Sequence, residues 1–339
     1  MAYITLNKKH FFNNLDIIAQ RSKGKDKIAL VLKDNAYGHG LLEVAKMAQE
    51  YGITKAVVRS FDEAKSIEKF FSYILVLADT PEEKNQKIRY TINDIKSITA
   101  FPKGTKVELK VNTGMNRNGI EMDSLREAFE QIIKQGLLLE AVFTHHSCAD
   151  EDLCIFEEQN RRFAKIKEEA TLLAKEFAIS KLRFHSCNSA ALFVRDDFSE
   201  DMARIGIAAY GCLELDGNAD VKELQPLLSL YAKRNSTRVV SKGACVGYGA
   251  SYQAEKECVV GNYDFGYGDG FLRACSNNYK TPENIEIVGR ISMDNSSFLS
   301  DEDELLIFND ARSVAKVAGT ISYEILTALK PHLKRIVLE

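Results

Sequence analysis

The first residue in this chain placed to do covalent chemistry is a lysine that closes an apolar run. Ile28-Ala29-Leu30-Val31-Leu32 is uninterrupted apolar sequence, Lys33 follows it directly, and the polar, glycine-punctuated stretch Asp34-Asn35-Ala36-Tyr37-Gly38-His39-Gly40 comes next. A short apolar run bounded by turn residues reads as a buried strand. A lysine at the carboxyl end of such a strand stands where an α/β enzyme presents a nucleophilic amine. Taken alone, a strand-end lysine is more often a solvated cation, so the rest of the chain has to supply the other parts of a site.

The elements that would position this amine form a regular series. Strand-like segments fall at residues 28–32, 55–58, 73–78, 107–111, 139–144 and 182–185, with helical patterns between them. Ser124-Leu125-Arg126-Glu127 has the form of a capping box, with Leu125, Phe129, Ile132 and Ile133 on one helical face behind it. Ile155, Phe156, Phe163, Ile166 and Leu173 repeat the pattern, with Asp152 as the candidate cap. Strand–helix alternation implies parallel connections and an α/β fold. The number of units fits a (β/α)8 barrel of the TIM type, with one or two strands too weakly patterned to place. After Gly211 the texture changes: Asp216-Gly217-Asn218-Ala219-Asp220 is turn-rich, Pro226 follows, and strand-like segments then dominate at 228–240, 258–265, 285–291 and 304–308. One helix is clear beyond them, near 322–329. The expected organisation is a barrel domain over residues 1–220 and a mainly β domain over 221–339. The first eight or so residues are expected to pair with the second domain.

Composition narrows the function. The chain has 339 residues, enough for about two domains, with 45% hydrophobic and 27% charged residues. A net charge of −3 leaves no electrostatic footprint for nucleic acid or an anionic membrane. No apolar run approaches the roughly 20 residues of a membrane span. Lys8, Lys9 and His10 follow the first seven residues without an apolar stretch, so no secretory signal is expected. Seven cysteines, an odd count without a C-x-x-C pair, point to reduced thiols in a cytoplasmic protein and against structural zinc. No metal site is expected.

The segment around Lys33 resembles the cofactor-lysine signature of alanine racemases, and the resemblance continues along nearly the whole chain, with its motifs in family order. It implies pyridoxal 5′-phosphate as cofactor, alanine as substrate, and a homodimer whose two active sites are shared between subunits. Lys33 resembles the Schiff-base lysine, which after exchange with the substrate amine is free to move the α-proton on one face. Racemisation needs a proton donor or acceptor on each face of a planar carbanion. Tyr248, in Val246-Gly247-Tyr248-Gly249-Ala250-Ser251-Tyr252, resembles the second base, which the family supplies from the partner subunit. His145, in Thr144-His145-His146-Ser147, matches the histidine that bonds this tyrosine and lies against the cofactor ring. His146 departs from the family, which has an apolar residue there.

The same resemblance extends to the cofactor's other end. Arg204, in Arg204-Ile205-Gly206-Ile207-Ala208-Ala209-Tyr210-Gly211, resembles the arginine that faces the pyridine nitrogen. A guanidinium keeps its proton at neutral pH, so the ring nitrogen stays unprotonated and the carbanion short-lived, which favours reprotonation over transamination. The implied phosphate cradle is Ser189, the backbone N–H groups of Gly206 and Ile207, and the hydroxyls of Tyr37 and Tyr323. Such a cradle belongs after barrel strands seven and eight. In Leu109-Lys110-Val111-Asn112-Thr113-Gly114-Met115-Asn116-Arg117-Asn118-Gly119, Arg117 would bind the substrate carboxylate. Lys110, if carbamylated as in many relatives, would orient it. Asn116 and Asn118 depart from the commoner glycine and leucine. Tyr267, in Gly266-Tyr267-Gly268-Asp269-Gly270, and the backbone N–H of Met293 would meet the substrate from the partner subunit. Gly268 replaces a usual alanine, which reads as a small change.

The resemblance implies an isomerase that supplies D-alanine for peptidoglycan. Two alternatives use the same scaffold or cofactor. One is a racemase of broader amino-acid specificity, decided by the pocket around Tyr267. The other is a non-catalytic pyridoxal-phosphate carrier, which lacks a β domain and its tyrosine. A barrel-type decarboxylase would need a glycine triplet at the phosphate, and no Gly-Gly pair exists here.

Overall fold

The computed structural model describes residues 2–81, 85–195, 197–215 and 219–339. The chain starts with β1 (Tyr3–Asn7) and then builds eight parallel strands: β2 (Ile28–Val31), β3 (Lys55–Val58), β4 (Tyr73–Val76), β5 (Ile88–Ile92), β6 (Lys106–Lys110), β7 (Leu138–Phe143), β8 (Arg183–His185) and β9 (Ala203–Ile205). Each of β2 to β7 pairs with the next, and β9 returns to β2, so the sheet curls into a nearly closed barrel of the TIM type. The remaining seam is bridged by Asp201 N–H to Phe184 O at 3.2 Å and Arg204 N–H to Cys187 O at 2.9 Å.

Six of these strands coincide with the apolar runs. The two that the pattern leaves unplaced are β5 and β9. Both carry polar or charged residues inside a short strand, Arg89 and Thr91 in one and Arg204 in the other, which breaks the apolar run. The helices behave as their patterns suggest, with two exceptions. Asp152 caps the helix Leu153–Glu176 by accepting from Cys154 and Ile155 N–H. Ser124 caps nothing with its side chain, because a short 3₁₀ turn (Met122–Ser124) leads straight into the helix Leu125–Gln135. Ile133 and Ile155 are exposed rather than core-facing.

Beyond the barrel, residues 216–218 of the expected turn lie outside the described residues, and Ala219–Glu223 is a short helix. Then come β10 (Leu228–Val240), β11 (Cys245–Val246), β12 (Tyr252–Gln253), β13 (Cys258–Tyr263), β14 (Ser296–Phe298), β15 (Glu304–Phe308) and β16 (Lys334–Leu338). The main sheet runs β14-β13-β10-β1-β16, with β15 also on β10, so the first strand of the chain completes the second domain. The apolar stretch 285–291 forms isolated bridges rather than a strand, and a helix at Ala311–Ala318 precedes the expected one at Ser322–Ala328. One continuous apolar core joins the barrel to the β domain. Among the described residues no helix is long and apolar enough to cross a membrane.

Candidate active site

Lys33 sits two residues beyond β2, at the carboxyl-end rim of the barrel, and its side chain is about one-third exposed into a cavity of ≈ 440 Å³. Its Nζ lies 3.5 Å from Asp34 Oδ2 and 6.0 Å from the centre of the Tyr37 ring. The backbone after it does what L-residues rarely do. Asp34, Asn35, Ala36 and Tyr37 have φ of 55°, 56°, 52° and 52°, one turn of left-handed helix. Each such residue costs roughly 1–2 kcal/mol, so the surroundings must hold the turn. Glu63 Oε1 accepts the Asp34 N–H at 2.7 Å, and Asn35 Oδ1 accepts the Leu41 N–H at 2.9 Å. Buried His39 donates from Nδ1 to Tyr37 O at 2.9 Å, and Arg335 Nη2 reaches back from β16 to Gly38 O at 2.8 Å. His39 stacks on Tyr210, whose hydroxyl donates to Val31 O at 2.8 Å. Burial brings the His39 imidazole down to about 4, so it is neutral. Glu63, His39 and Arg335 support Lys33 without any mark in the sequence beyond the local turn signals.

The other barrel residues converge on the same cavity. Tyr37, Lys110, Arg117, His145, Ser189, Arg204, Gly206, Ile207 and Tyr323 all line it with Lys33. Ser189 opens the helix Ser189–Val194, and its Oγ accepts from Gly206 N at 3.1 Å and Ala208 N at 3.3 Å. A Cβ on Gly206 would lie 2.6 Å from Tyr37 Oη, so only glycine leaves this corner open. Burial pushes the phenols of Tyr37 and Tyr323 up, which keeps them neutral donors. Arg204 is buried on β9 and donates to Thr144 O at 2.8 Å, to Ser186 O at 3.1 Å and to His185 Nδ1. Its guanidinium lies over the Phe143 ring at 5.0 Å.

Positive charge crowds this wall. Burial, then Arg117 and Arg204, bring Lys110 down to about 8. Burial, then Arg204, Lys110, Arg117 and His146, push His145 well below the usual imidazole range, so its ring is neutral. His146 points away from the cavity, bonding Asn160 Oδ1 from Nε2 at 2.9 Å and packing edge-on against Phe156. Arg117 rides on a loop shaped by Asn112, whose Oδ1 accepts from Gly114 N at 3.1 Å and Asn116 N at 3.0 Å. Asn116 has φ 54° there, a conformation asparagine tolerates nearly as glycine does.

Three expected site residues are not in the cavity. Tyr248, Tyr267 and Met293 lie on the β domain, 68%, 43% and 55% exposed, and none lines the Lys33 cavity of its own chain. Tyr248 stands in the glycine-flanked turn Tyr248–Ala250, beside Arg290 in a separate hollow. Tyr267 and Met293 are neighbours through Tyr267 N–H to Ser292 O at 3.0 Å and Gly268 N–H to Met293 O at 2.8 Å. Gly268 is not a minor replacement here, because a Cβ would come within 2.9 Å of Met293 O.

A lysine amine, neutral hydroxyl groups and a buried arginine thus line one cavity at the rim of a TIM-type barrel, with a mainly β domain beside it. Two family models account for the chain: the alanine racemase N-terminal domain matches residues 6–214 and the alanine racemase C-terminal domain residues 227–337. The chain belongs to the alanine racemase family and is an isomerase of that kind. It is 43% identical over 335 residues to the alanine racemase of a Nitratiruptor species, and 40% identical over 337 residues to that of Campylobacter curvus, with 99% of each chain covered in both cases. Among solved structures, the alanine racemase of Bacillus anthracis with bound L-Ala-P superposes with a TM-score of 0.86 at 28% identity, covering 100% of this chain and 95% of that one. The Clostridium difficile 630 alanine racemase in complex with cycloserine gives 0.86 at 26%, covering 100% and 96%.

Proposed function

We propose that this chain interconverts L- and D-alanine by a two-base mechanism with pyridoxal 5′-phosphate, as a cytoplasmic homodimer, and so supplies D-alanine for peptidoglycan. The observation that carries the proposal is the convergence of Lys33, Tyr37, Ser189, Gly206, Arg204 and His145 on one cavity. These residues fit the cofactor. The Gly206 corner would receive a phosphate beside Tyr37, Ser189 and Ile207, with the Tyr323 ring 5.8 Å from that of Tyr37. Lys33 would hold the cofactor through its ε-amine, neutral His145 offers a flat face, and Arg204 would meet the ring nitrogen. When bound, pyridoxal 5′-phosphate supplies an electron sink for the pair left when an α-proton departs.

The chain's own groups do the rest. Arg117 orients the substrate carboxylate as a charged fork donor. Lys110, at about 8, carries a substantial neutral amine fraction near pH 8, the form that reacts with carbon dioxide. A carbamate there would give Arg117 an anionic partner. The Lys33 amine takes or returns the α-proton on one face. Tyr248 of a second copy serves the opposite face, and Tyr267 and the Met293 N–H of that copy close the pocket around a methyl side chain. The exposure of these three residues supports this reading, since a single chain leaves the far side of the cavity without them. The decisive assay is racemisation of alanine, lysine, arginine and serine by the purified protein, with Tyr248→Ala as control. Turnover of alanine above the others supports the proposal. Equal turnover of wild type and Tyr248→Ala contradicts the two-base scheme.

A further inference from the structure

Behind Arg204 lies a layer of buried charge that the chemistry above does not use. Glu108, on β6, is fully buried inside the barrel. His185 Nε2 meets its Oε2 at 2.9 Å, while Arg183 Nη2 and the Tyr73 hydroxyl donate to its Oε1 at 2.7 Å and 2.6 Å. The Tyr73 ring has Arg89 and Arg183 guanidinium groups over it at 4.7 Å and 5.1 Å. Burial opposes a charge on Glu108, but these donors hold its carboxyl down at about 2. On the other side, His185 Nδ1 meets Arg204 Nη1, and the His185 ring is stacked on Phe143 at 4.6 Å.

A guanidinium has donors only. Nδ1 of His185 must therefore present its lone pair to Arg204, and the ring proton must sit on Nε2. The partner of Nε2 must then accept, which an ionised carboxylate does. One pattern of protons satisfies the whole chain from Glu108 through His185 to Arg204.

We propose that Glu108 is a positioning residue for the racemase reaction: through the Nε2–H tautomer of His185 it fixes the Arg204 guanidinium in the cavity wall. Its consequence for turnover rests on the reading of Arg204 as the partner of the cofactor ring nitrogen; the tautomer itself does not. The carboxylate also gives the buried Arg204 cation a compensating charge one residue away, which a neutral side chain of the same shape cannot supply. A glutamine at 108 would present either its oxygen or its NH2 to His185 Nε2. The NH2 orientation drives the ring proton to Nδ1, where it opposes the Arg204 donor.

The test is ¹⁵N NMR of the cofactor-loaded protein labelled at its six histidines, combined with kinetics and the visible absorption band. In wild type, His185 should be neutral with its proton on Nε2. In Glu108→Gln the Nδ1–H form should appear, the absorption maximum should move, and kcat for alanine should fall by about tenfold with little change in KM. Tyr73→Phe removes a donor and leaves the carboxylate, so it should keep the Nε2–H form. Wild-type His185 carrying its proton on Nδ1 would overturn the proposal, and that result needs no variant to fold. So would a Glu108→Gln protein with both the wild-type tautomer and the wild-type kcat. A wild-type protein that does not racemise alanine would defeat the functional proposal instead, leaving the tautomer result standing.

Discussion

The barrel rim and the exposed face of the β domain contribute to the candidate site in opposite ways. On the rim, Arg204, Ser189, Lys110 and Tyr37 are buried and bonded or packed from several sides, and the turn after Lys33 is held in left-handed backbone by Glu63, His39 and Arg335. On the β domain, Tyr248 and Met293 are more than half exposed and lie away from the Lys33 cavity. The rim is preorganised to receive a ligand within one chain. The β-domain residues proposed for the same reaction lie away from that cavity, and the proposed second copy of the chain would bring them to it. Closed dimers place the same patch on both subunits, so one contact would complete two cavities.

The largest effect should come from breaking the rim. Wild type is expected to show a yellow absorbance that borohydride bleaches, and Lys33→Ala to abolish both it and racemisation; a Lys33→Ala protein that still racemises removes this residue from the mechanism. Breaking the β-domain half should cost less. Tyr248→Phe is expected to slow proton transfer by a factor on the order of 10² or more, unequally in the two directions when L- and D-alanine are compared. Small and equal losses would leave Tyr248 a packing residue. Smaller still is Gly206→Ala, whose Cβ would sit 2.6 Å from Tyr37 Oη. Cofactor affinity measured by titration of the apo-protein should drop by about tenfold, roughly 1.4 kcal/mol, with the fold intact.

A pH test carries the contrast into stability. His39 and His146 belong to the barrel, and burial holds both at about 4 against an ordinary 6.5. Between those values the unfolded chain binds protons that the folded chain refuses. Their contribution is therefore complete above pH 6.5 and is lost as pH falls toward 4, by up to about tenfold in the folding constant per pH unit for each group. Urea unfolding followed by hydrogen exchange at pH 7 and pH 5 should show barrel amides losing protection before those of β10 and β13. Equal loss in both domains would contradict this.

Much of the rim was legible in the sequence. The apolar run before Lys33 marks a strand end, and the punctuation after it marks a turn. Six barrel strands announce themselves by apolar runs, while β5 and β9 do not, because Arg89 and Thr91 in one and Arg204 in the other break the run. The handedness of the 34–37 turn was not legible, since nothing in Asp-Asn-Ala-Tyr favours four successive left-handed residues. That conformation comes from long-range contacts with Glu63 and Arg335. Glu108 and His185 were invisible for a related reason: a charged residue inside a short strand reads as a surface position until the barrel closes around it. The residue types at Tyr248, Tyr267 and Met293 were legible through the family resemblance. Their expected place on a partner subunit came from the resemblance alone, because nothing in the residue pattern itself separates them from Lys33.

In the proposed dimer, the rim of one copy works with the β-domain tyrosine of another. Mixing Lys33→Ala and Tyr248→Ala subunits, each inactive alone, tests it directly. After dissociation and reassociation, half of the dimers would carry one site with both lesions and one with neither, so racemisation should recover to about a quarter of the wild-type value. A mixture that forms dimers and stays inactive would rule out a site shared between two copies.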